Sequence, residues 1–302
     1  MTTPDVRFDM FVWQAIPWPA LRDDVQFLET MPIGTVWVGD HYAYPPSPTA
    51  PVLEAWTTLA ALAAQTRRVR LGTAISNVAT RHPAMLAKQA ATVDCISGGR
   101  LDIGLGPGHF ESELAWLGIP SRSPAGRVDR FREAVEIIDR LLRQPPVSYQ
   151  GSFYQLTGAP LVPAPVQAPR PPLTLAANGT RALQVAAAYA DVWLTLGEAG
   201  AKHDQALAGV RVRNRQLDEC CLAIGREPAA IERAYFVGWA DEVPFVSRDA
   251  FQEFVGRYRE AGIQRFLFFF ASAGQFGSAG AAGAFADRKV LEGFAAEAMQ
   301  AA

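Results

Sequence analysis

The sequence predicts an α/β fold, a (β/α)8 TIM barrel, formed by a single domain over residues 1–302. Apolar, β-rich segments alternate with helical patterns along the chain, which is typical of a parallel sheet covered by helices. The strand–helix unit recurs eight times in regular order, whereas a doubly wound open sheet rarely has so many units. A length of 302 residues is ordinary for one barrel, and 49% hydrophobic residues are enough for a large core.

The first four strand–helix units occupy the amino-terminal half of the chain. We predict strands at residues 7–13, 35–39, 69–76 and 101–106. We predict helices at residues 20–30, 53–66, 83–97 and 127–142. Pro83 suits the first turn of the third helix, because a backbone N–H at that position has no partner within the helix, whichever residue stands there. Gly98 can take the left-handed conformation that ends this helix.

The second half of the chain contains an insertion and four further strands. Residues 144–172 hold two short β-like pieces around Gly151 and then a proline-rich stretch, so we predict an insertion on the barrel rim after the fourth helix. Further strands are predicted at residues 173–177, 191–196, 231–240 and 265–271. Helices at residues 180–189, 202–222 and 249–261 follow the first three of these strands. A glycine- and alanine-rich loop at residues 272–284 precedes a C-terminal helix.

Charge and composition exclude several functional classes. Lys and Arg number 28 against 30 Asp and Glu, so the net charge is −2 and the chain lacks a basic surface for nucleic acid or membrane lipid. No apolar run is long enough to span a bilayer, and the start of the chain does not resemble a signal peptide. The three cysteines make no disulfide framework. We therefore expect a cytoplasmic protein with a small-molecule substrate and with no nucleic-acid or membrane partner.

The sequence predicts no metal site. A metal-dependent hydrolase barrel usually carries a His-x-His pair after the first strand, and the residues of this chain at that place are not metal ligands. They are Met10, Phe11, Val12 and Trp13. No other spacing of His, Asp and Glu in the chain matches a metal motif.

Candidate catalytic residues follow several of the predicted strands, at the end of a barrel where active sites lie. His41 follows the second strand and His109 follows the fourth, with Glu111 just beyond it. Histidine titrates near neutral pH and could transfer a proton, but either ring could equally hydrogen-bond a loop carbonyl. Nearby aromatic residues could line a substrate pocket or pack in the core or rim. They are Trp13, Tyr42, Tyr44 and Phe110.

Two glycine-containing segments are candidate ligand sites. Residues 104–108 (GLGPG) lack the third glycine of a dinucleotide fingerprint, because His109 stands in its place. We expect these glycines to let a flat ligand approach the backbone. Residues 178–181 (NGTR) open a helix after the fifth strand, where free N–H groups, a hydroxyl and an arginine could cradle a phosphate. An ordinary helix cap explains the same residues equally well.

A series of motifs resembles one known family. VGDHY, LGT, RHPAMLAKQAATVD, SGGR and GLGPG occur in this order between residues 38 and 108, and VSYQGSFYQL and AANGTRALQVAAAYADVWLTLG follow them. Together they resemble the bacterial luciferase-like flavin-dependent oxidoreductases. The resemblance covers nearly the whole chain, from residue 7 to about 271. It implies a barrel whose mouth holds a flavin or deazaflavin.

The resemblance also implies which residues contact the cofactor. It places a non-proline cis peptide between Ala74 and Ile75, behind the flavin ring, and a contact with the ring or tail at Asn77. The phosphate site it implies follows the fifth strand, at Ala177, Asn178, Gly179 and Thr180. The remaining cofactor contacts that we expect are Asp40, Gly106, Gly108 and His109. Family members are often dimers through the second and third helices, so a homodimer is expected here.

The pattern at residues 106–113 (GPGHFESE) resembles the branch of the family that uses the deazaflavin coenzyme F420. His41 corresponds to the active-site histidine of the sugar-phosphate dehydrogenase of that branch, but His109 replaces its glutamate acid, which argues against sugar-phosphate activity. The resemblance implies hydride transfer between F420 and a small organic substrate, with His41, His109 and Glu111 as catalytic candidates. The alternative is an FMN-dependent luciferase-like monooxygenase that uses reduced flavin, O₂ and a separate flavin reductase.

Overall fold

The computed structural model describes residues 6–108, 110–272 and 283–301. Its centre is a closed barrel of eight parallel strands, as predicted. They are β1 (Arg7–Val12), β2 (Thr35–Val38), β3 (Arg70–Thr73), β5 (Leu101–Gly106), β8 (Leu173–Ala176), β9 (Val192–Leu196), β10 (Glu232–Phe236) and β11 (Arg265–Phe270). Neighbours pair in this order, and β11 pairs with β1 to close the barrel. A short strand, β4 (Ser76–Asn77), resumes the course of β3 and also pairs with β5.

Helices follow the barrel strands and cover the outside. They are α1 (Trp18–Leu28), α2 (Ala55–Gln65), α3 (Pro83–Ser97), α4 (Glu111–Trp116), α5 (Pro124–Arg143), α6 (Thr180–Tyr189), α7 (His203–Ala223) and α8 (Arg248–Glu260). The carboxyl-terminal helical segment consists of α9 (Arg288–Val290), a π-helical turn (Leu291–Ala295) and α10 (Ala296–Ala301). The sequence does not predict α4, and it places the end of β10 four residues too late. Gly238, with a φ of 104°, turns the chain away from the sheet there.

The predicted insertion follows α5 and contains an antiparallel hairpin of β6 (Val147–Gln150) and β7 (Gln155–Ala159). The buried carboxylate of Glu133 on α5 accepts the backbone N–H of Phe153 at 2.9 Å. The hydroxyl of Tyr154 donates to a carbonyl of the loop after β4 at 3.3 Å. The hairpin of the predicted insertion therefore packs along α5.

Small side chains on α2 and α3 pack within the chain itself. Ala63, Ala87 and Ala90 are buried, and the two helices contact each other. α3 also contacts α5. Contacts between helices of the same chain explain why small residues stand at these positions. The homodimer stays a prediction.

The middle of the barrel interior is apolar. Phe11, Phe236 and Leu267 are buried there and pack together with Trp37. The rings of Phe11 and Phe236 have centroids 5.3 Å apart. This layer separates the carboxyl ends of the strands from a group of charges near their amino ends.

The charged group is centred on Arg265, the first residue of β11. Its Nε lies 2.5 Å from Oδ2 of Asp9, and its Nη2 lies 2.9 Å from Oδ2 of Asp102. The indole N–H of Trp37 donates to Asp9 at 2.8 Å. Burial raises the pKa of Asp102, but the charges of Arg265 and Arg70 outweigh this effect and lower it overall. Each buried charge in this group therefore has an opposite charge in contact with it.

Arg265→Met should lower the free energy of unfolding by about 3–5 kcal/mol, because the buried carboxylate of Asp9 loses its counter-charge and Asp102 keeps only Arg70. Urea denaturation followed by tryptophan fluorescence measures this loss. Arg248→Met is the matched control, since it removes an exposed ion pair with Glu297 at 2.5 Å and should change stability little. Equal losses in the two variants would show that the buried charges do not stabilise the barrel.

Candidate functional site

A cavity of about 550 Å³ lies at the carboxyl ends of the barrel strands. All eight barrel strands, or the residues directly after them, contribute to its lining. Most of the lining is aromatic or aliphatic, which is usual for a small-molecule site with a few polar groups. The polar lining residues are Asp40, His41, Asn77, Glu113, Asn178 and Glu198.

One wall of the cavity is formed by the segment between β3 and β4. The peptide bond between Ala74 and Ile75 is cis, as predicted, and both residues line the cavity. Asn77 also lines it, and the side-chain oxygen of Asn77 accepts the backbone N–H of Ala79 at 2.9 Å. The amide of Asn77 is thereby fixed in orientation at the cavity wall.

The glycines of β5 make room for this wall. A Cβ on Gly104 would overlap the carbonyl oxygen of Thr73, and a Cβ on Gly106 would overlap the side chain of Ile75. Thr73 and Ile75 thus occupy the space in front of these two glycines. The prediction that glycines here let a flat ligand approach the backbone is therefore wrong for Gly104 and Gly106. Gly106, a predicted cofactor contact, is absent from the cavity lining in the described part of the chain.

His41 lies at the edge of the cavity and faces a buried carboxylate. Its Nδ1 is inaccessible to solvent and lies 3.4 Å from Oε1 of Glu113. The side chain of Glu113 is 1% exposed, and it accepts the backbone N–H of Tyr42 at 2.6 Å. Glu113 thus lies on the Nδ1 side of the imidazole, and His41 is also part of the cavity lining.

The sequence points to Glu111, whereas the structure places Glu113 at the site. Glu111 is exposed and pairs with Arg127 at 3.2 Å, outside the cavity lining. Both glutamates lie on α4, where residues two apart point in opposite directions. The pair of acidic residues is visible in the sequence, but the short helix that turns one of them inward is not. His109, the other catalytic candidate of this segment, lies outside the described residues.

Asp40 is buried beside His41 and is held by Arg81. Nη2 and Nε of Arg81 donate to its two oxygens at 2.6 and 3.1 Å, and Arg81 also pairs with Glu54 at 2.7 Å. Burial raises the pKa of Asp40, while the hydrogen bonds and charge of Arg81 oppose this rise. Both oxygens of Asp40 are therefore bonded to Arg81, and Glu113 is the carboxylate that faces His41.

Three aromatic residues surround His41. The ring centroids of Trp13, Tyr44 and Phe110 lie 5.8, 5.7 and 5.6 Å from the imidazole centroid. All three line the cavity, where the sequence predicts a substrate pocket. Tyr42, the fourth predicted member, is 67% exposed and contributes its backbone N–H to Glu113 instead.

The amino terminus of α6 lies at the mouth of the cavity. Asn178 lines the cavity, and its side-chain oxygen accepts the hydroxyl of Thr195 at 2.8 Å. Gly179 is the N-cap, and no side chain among the described residues caps this helix. Gly179 and Thr180 are exposed, whereas Ala177 is buried beneath them. The first N–H groups of α6 are therefore open to an anion.

Within the described ranges, no group of three or more His, Cys, Asp or Glu side chains could hold a metal ion. No helix in these ranges is long and apolar enough to cross a membrane. Cys95, Cys220 and Cys221 are free thiols.

The sequence profile of the luciferase-like monooxygenases matches residues 7–262. The chain belongs to this family. The F420-dependent glucose-6-phosphate dehydrogenase of Kineococcus radiotolerans is 32% identical over 165 residues, which are 53% of this chain and 47% of that protein. The oxygenase component of the flavin-dependent trigonelline monooxygenase of Acinetobacter baylyi is 33% identical over 147 residues, 47% of this chain and 38% of that protein. This chain thus spans less than half of the length of these two curated relatives.

The luciferase-like fold is also found in the coenzyme F420 dependent tetrahydromethanopterin reductase of Methanopyrus kandleri. The two structures align with a TM-score of 0.75 over 97% of both chains, at 19% identity. At this identity the similarity shows the barrel fold alone. Members of the luciferase-like family are oxidoreductases and monooxygenases, and the two relatives named above differ in coenzyme.

Gly108→Ala should destabilise this luciferase-like barrel through a contact with Asn77. Gly108 has a φ of 75°, and a Cβ there would lie 2.6 Å from Cγ of Asn77. Gly118→Ala is the control, since its φ is 66° but its Cβ would meet no described atom within 4 Å. Both variants carry backbone strain, so the extra loss in Gly108→Ala, about 1–3 kcal/mol in urea denaturation, measures the contact. Equal losses would show that Asn77 moves aside without cost.

Proposed function

We propose that this protein is an F420-dependent oxidoreductase that transfers hydride between the deazaflavin coenzyme and a small organic substrate. The observation that carries the proposal is the pair of His41 and Glu113 at the edge of an apolar cavity. Hydride transfer to or from an alcohol or carbonyl needs one group that handles a proton next to a dry space for the substrate. The F420-like pattern at residues 106–113 and the similarity to an F420-dependent dehydrogenase support the choice of coenzyme.

The described residues fit a flavin-type ring and a phosphate. The uncapped amino terminus of α6, with Gly179 at its N-cap, would bind the phosphate through backbone N–H groups. Ile75 and Asn77 would form the wall behind the ring. A volume of about 550 Å³ falls within the range of small-ligand pockets. When bound, F420 supplies a carbon, C5 of its ring, that takes up or gives hydride.

His41 would handle the proton that accompanies the hydride. His41 lines the cavity, and its Nε2, the ring nitrogen that is not beside Glu113, would accept the proton of a hydroxyl during oxidation, or return it to a carbonyl oxygen during reduction. Glu113 would hold the ring in place and stabilise the imidazolium that forms. Trp13, Tyr44 and Phe110 would keep water away from His41.

A binding titration with F420 and with FMN, each oxidised and reduced, tests the coenzyme. We expect micromolar or tighter binding of F420 and much weaker binding of FMN. A preference for reduced FMN would instead favour a monooxygenase that works with O₂ and a flavin reductase. If neither coenzyme binds, the phosphate site proposed at the amino terminus of α6 is wrong.

Glu113→Gln should lower kcat by about 100-fold, because the amide cannot stabilise a protonated His41. The KM for substrate and the Kd for F420 should change by less than about threefold, since Glu113 acts through His41 and not on the ligands. Glutamine can still accept the backbone N–H of Tyr42, so the fold should be retained. Steady-state kinetics with F420 measure the effect.

Glu111→Gln is the matched control on the same helix. Its side chain is exposed and pairs with Arg127, so kcat should equal that of the unmodified enzyme. A loss of kcat in both variants, or in neither, would contradict the role given to Glu113.

A further inference from the structure

We infer that the substrate is an uncharged and largely apolar alcohol, or the ketone or aldehyde that its oxidation yields. This inference rests on the proposed hydride transfer and adds the chemical class of the substrate. Three features of the cavity support it: the negative charge of its lining residues, the contacts that the nearby cations make elsewhere, and the largely aromatic walls.

The charges in the cavity lining are negative. Asp40, Glu113 and Glu198 line it, and none of the described lining residues is Lys or Arg. An anionic group in the cavity would therefore lose its hydration next to carboxylates and gain no counter-charge.

The cations near the mouth are engaged elsewhere. Arg181 pairs with Asp129 at 2.5 Å, and Lys202 pairs with Asp241 at 2.5 Å. Arg213 is absent from the cavity lining; it lines an adjoining polar pocket of about 420 Å³, where its guanidinium donates to a backbone carbonyl of β9 at 2.9 Å. A phosphate or carboxylate on a substrate held within the cavity would therefore contact none of these three cations.

The walls of the cavity suit an apolar carbon skeleton. Seven of the described lining residues are aromatic, and several of their rings pack in edge or tilted contacts. They are Phe11, Trp13, Tyr44, Phe110, Phe236, Trp239 and Phe269. Burial of an apolar substrate against these rings is favourable, whereas a polyhydroxylated substrate would leave many hydroxyl groups without hydrogen bonds.

The reacting group that we infer exchanges its proton with His41, the histidine among the described lining residues. The C–H and O–H bonds of the alcohol break and its carbonyl bond forms. With F420 bound, its ring would take up the hydride of the carbinol carbon, and the hydroxyl would give its proton to Nε2 of His41 and from there to solvent. The alcohol is oxidised by two electrons and the coenzyme is reduced by two, so the step balances.

A set of three alcohols with one skeleton tests the charge preference. Reduction of F420 is followed with 1-phenylethanol, with 4-(1-hydroxyethyl)benzoate and with the methyl ester of that acid. We expect kcat/KM for the carboxylate to be about 100-fold below the values for both neutral alcohols. The ester controls for size, because it has the same ring substitution without the charge. Equal kcat/KM for the acid and the ester would overturn the inference.

Glu198 provides a test by substitution. It lines the cavity, and its side chain is exposed at the mouth. Glu198→Gln should raise the ratio of kcat/KM for the carboxylate to kcat/KM for 1-phenylethanol by about threefold, since it weakens the field that acts on an anion. Glu219→Gln, an exposed carboxylate on α7 away from the cavity, should change neither value. An identical effect of the two substitutions would contradict the inference.

A binding measurement separates failure of this inference from failure of the proposed function. Equilibrium dialysis compares acetophenone with 4-acetylbenzoate on the protein, both free and loaded with F420. Tighter binding of acetophenone supports the inference even where F420 fails to bind, which would overturn the proposed function alone. Equal affinity, or no binding of either ketone, would overturn the inference while leaving the F420 titration to decide the coenzyme.

Discussion

The steric contact between β5 and the segment that joins β3 to β4 fixes the shape of the site. Neither Gly104 nor Gly106 has room for a Cβ, because the carbonyl of Thr73 and the side chain of Ile75 occupy that space. The joining segment can therefore lie closer to β5 than strands with side chains would permit, and it presents Ile75 and Asn77 to the cavity. A side chain on β5 would push this wall into the space for a ligand. The fold itself needs glycine here, and the wall of the site is a consequence.

An apolar layer separates two groups of charges inside the barrel. In the group at the amino ends the charges pair with one another, because Arg265 lies between Asp9 and Asp102. The group at the carboxyl ends faces the cavity and includes His41 and Glu113. Buried charges interact more strongly than charges on the surface, and an unpaired buried charge costs more. The buried carboxylate of Glu113 therefore acts strongly on His41, and by the same argument it disfavours an anion in the cavity that it lines.

The barrel can be predicted from sequence because its signal is repeated in eight strand–helix units, and an error at one end of a strand does not change the topology. His41 and Asn178 can be predicted because the ends of parallel strands meet at one edge. Glu113 cannot, since its inward direction depends on α4, a helix of six residues that is too short to show periodicity. The same limit applies to Tyr42 and Tyr44, because only the conformation of the loop after β2 decides that Tyr44 turns inward.

Two carboxylates lie close to His41, and their different partners decide what the ring can do. If both faced the imidazole, the histidine would be held between two negative charges and would serve as the cation of a salt bridge. Arg81 prevents this, because it binds both oxygens of Asp40 and shares its charge with Glu54. His41 is left with a single carboxylate on the Nδ1 side and with apolar rings around it. The proton transfer that we propose therefore involves one histidine and one carboxylate, while Arg81 and Asp40 form an ion pair of their own.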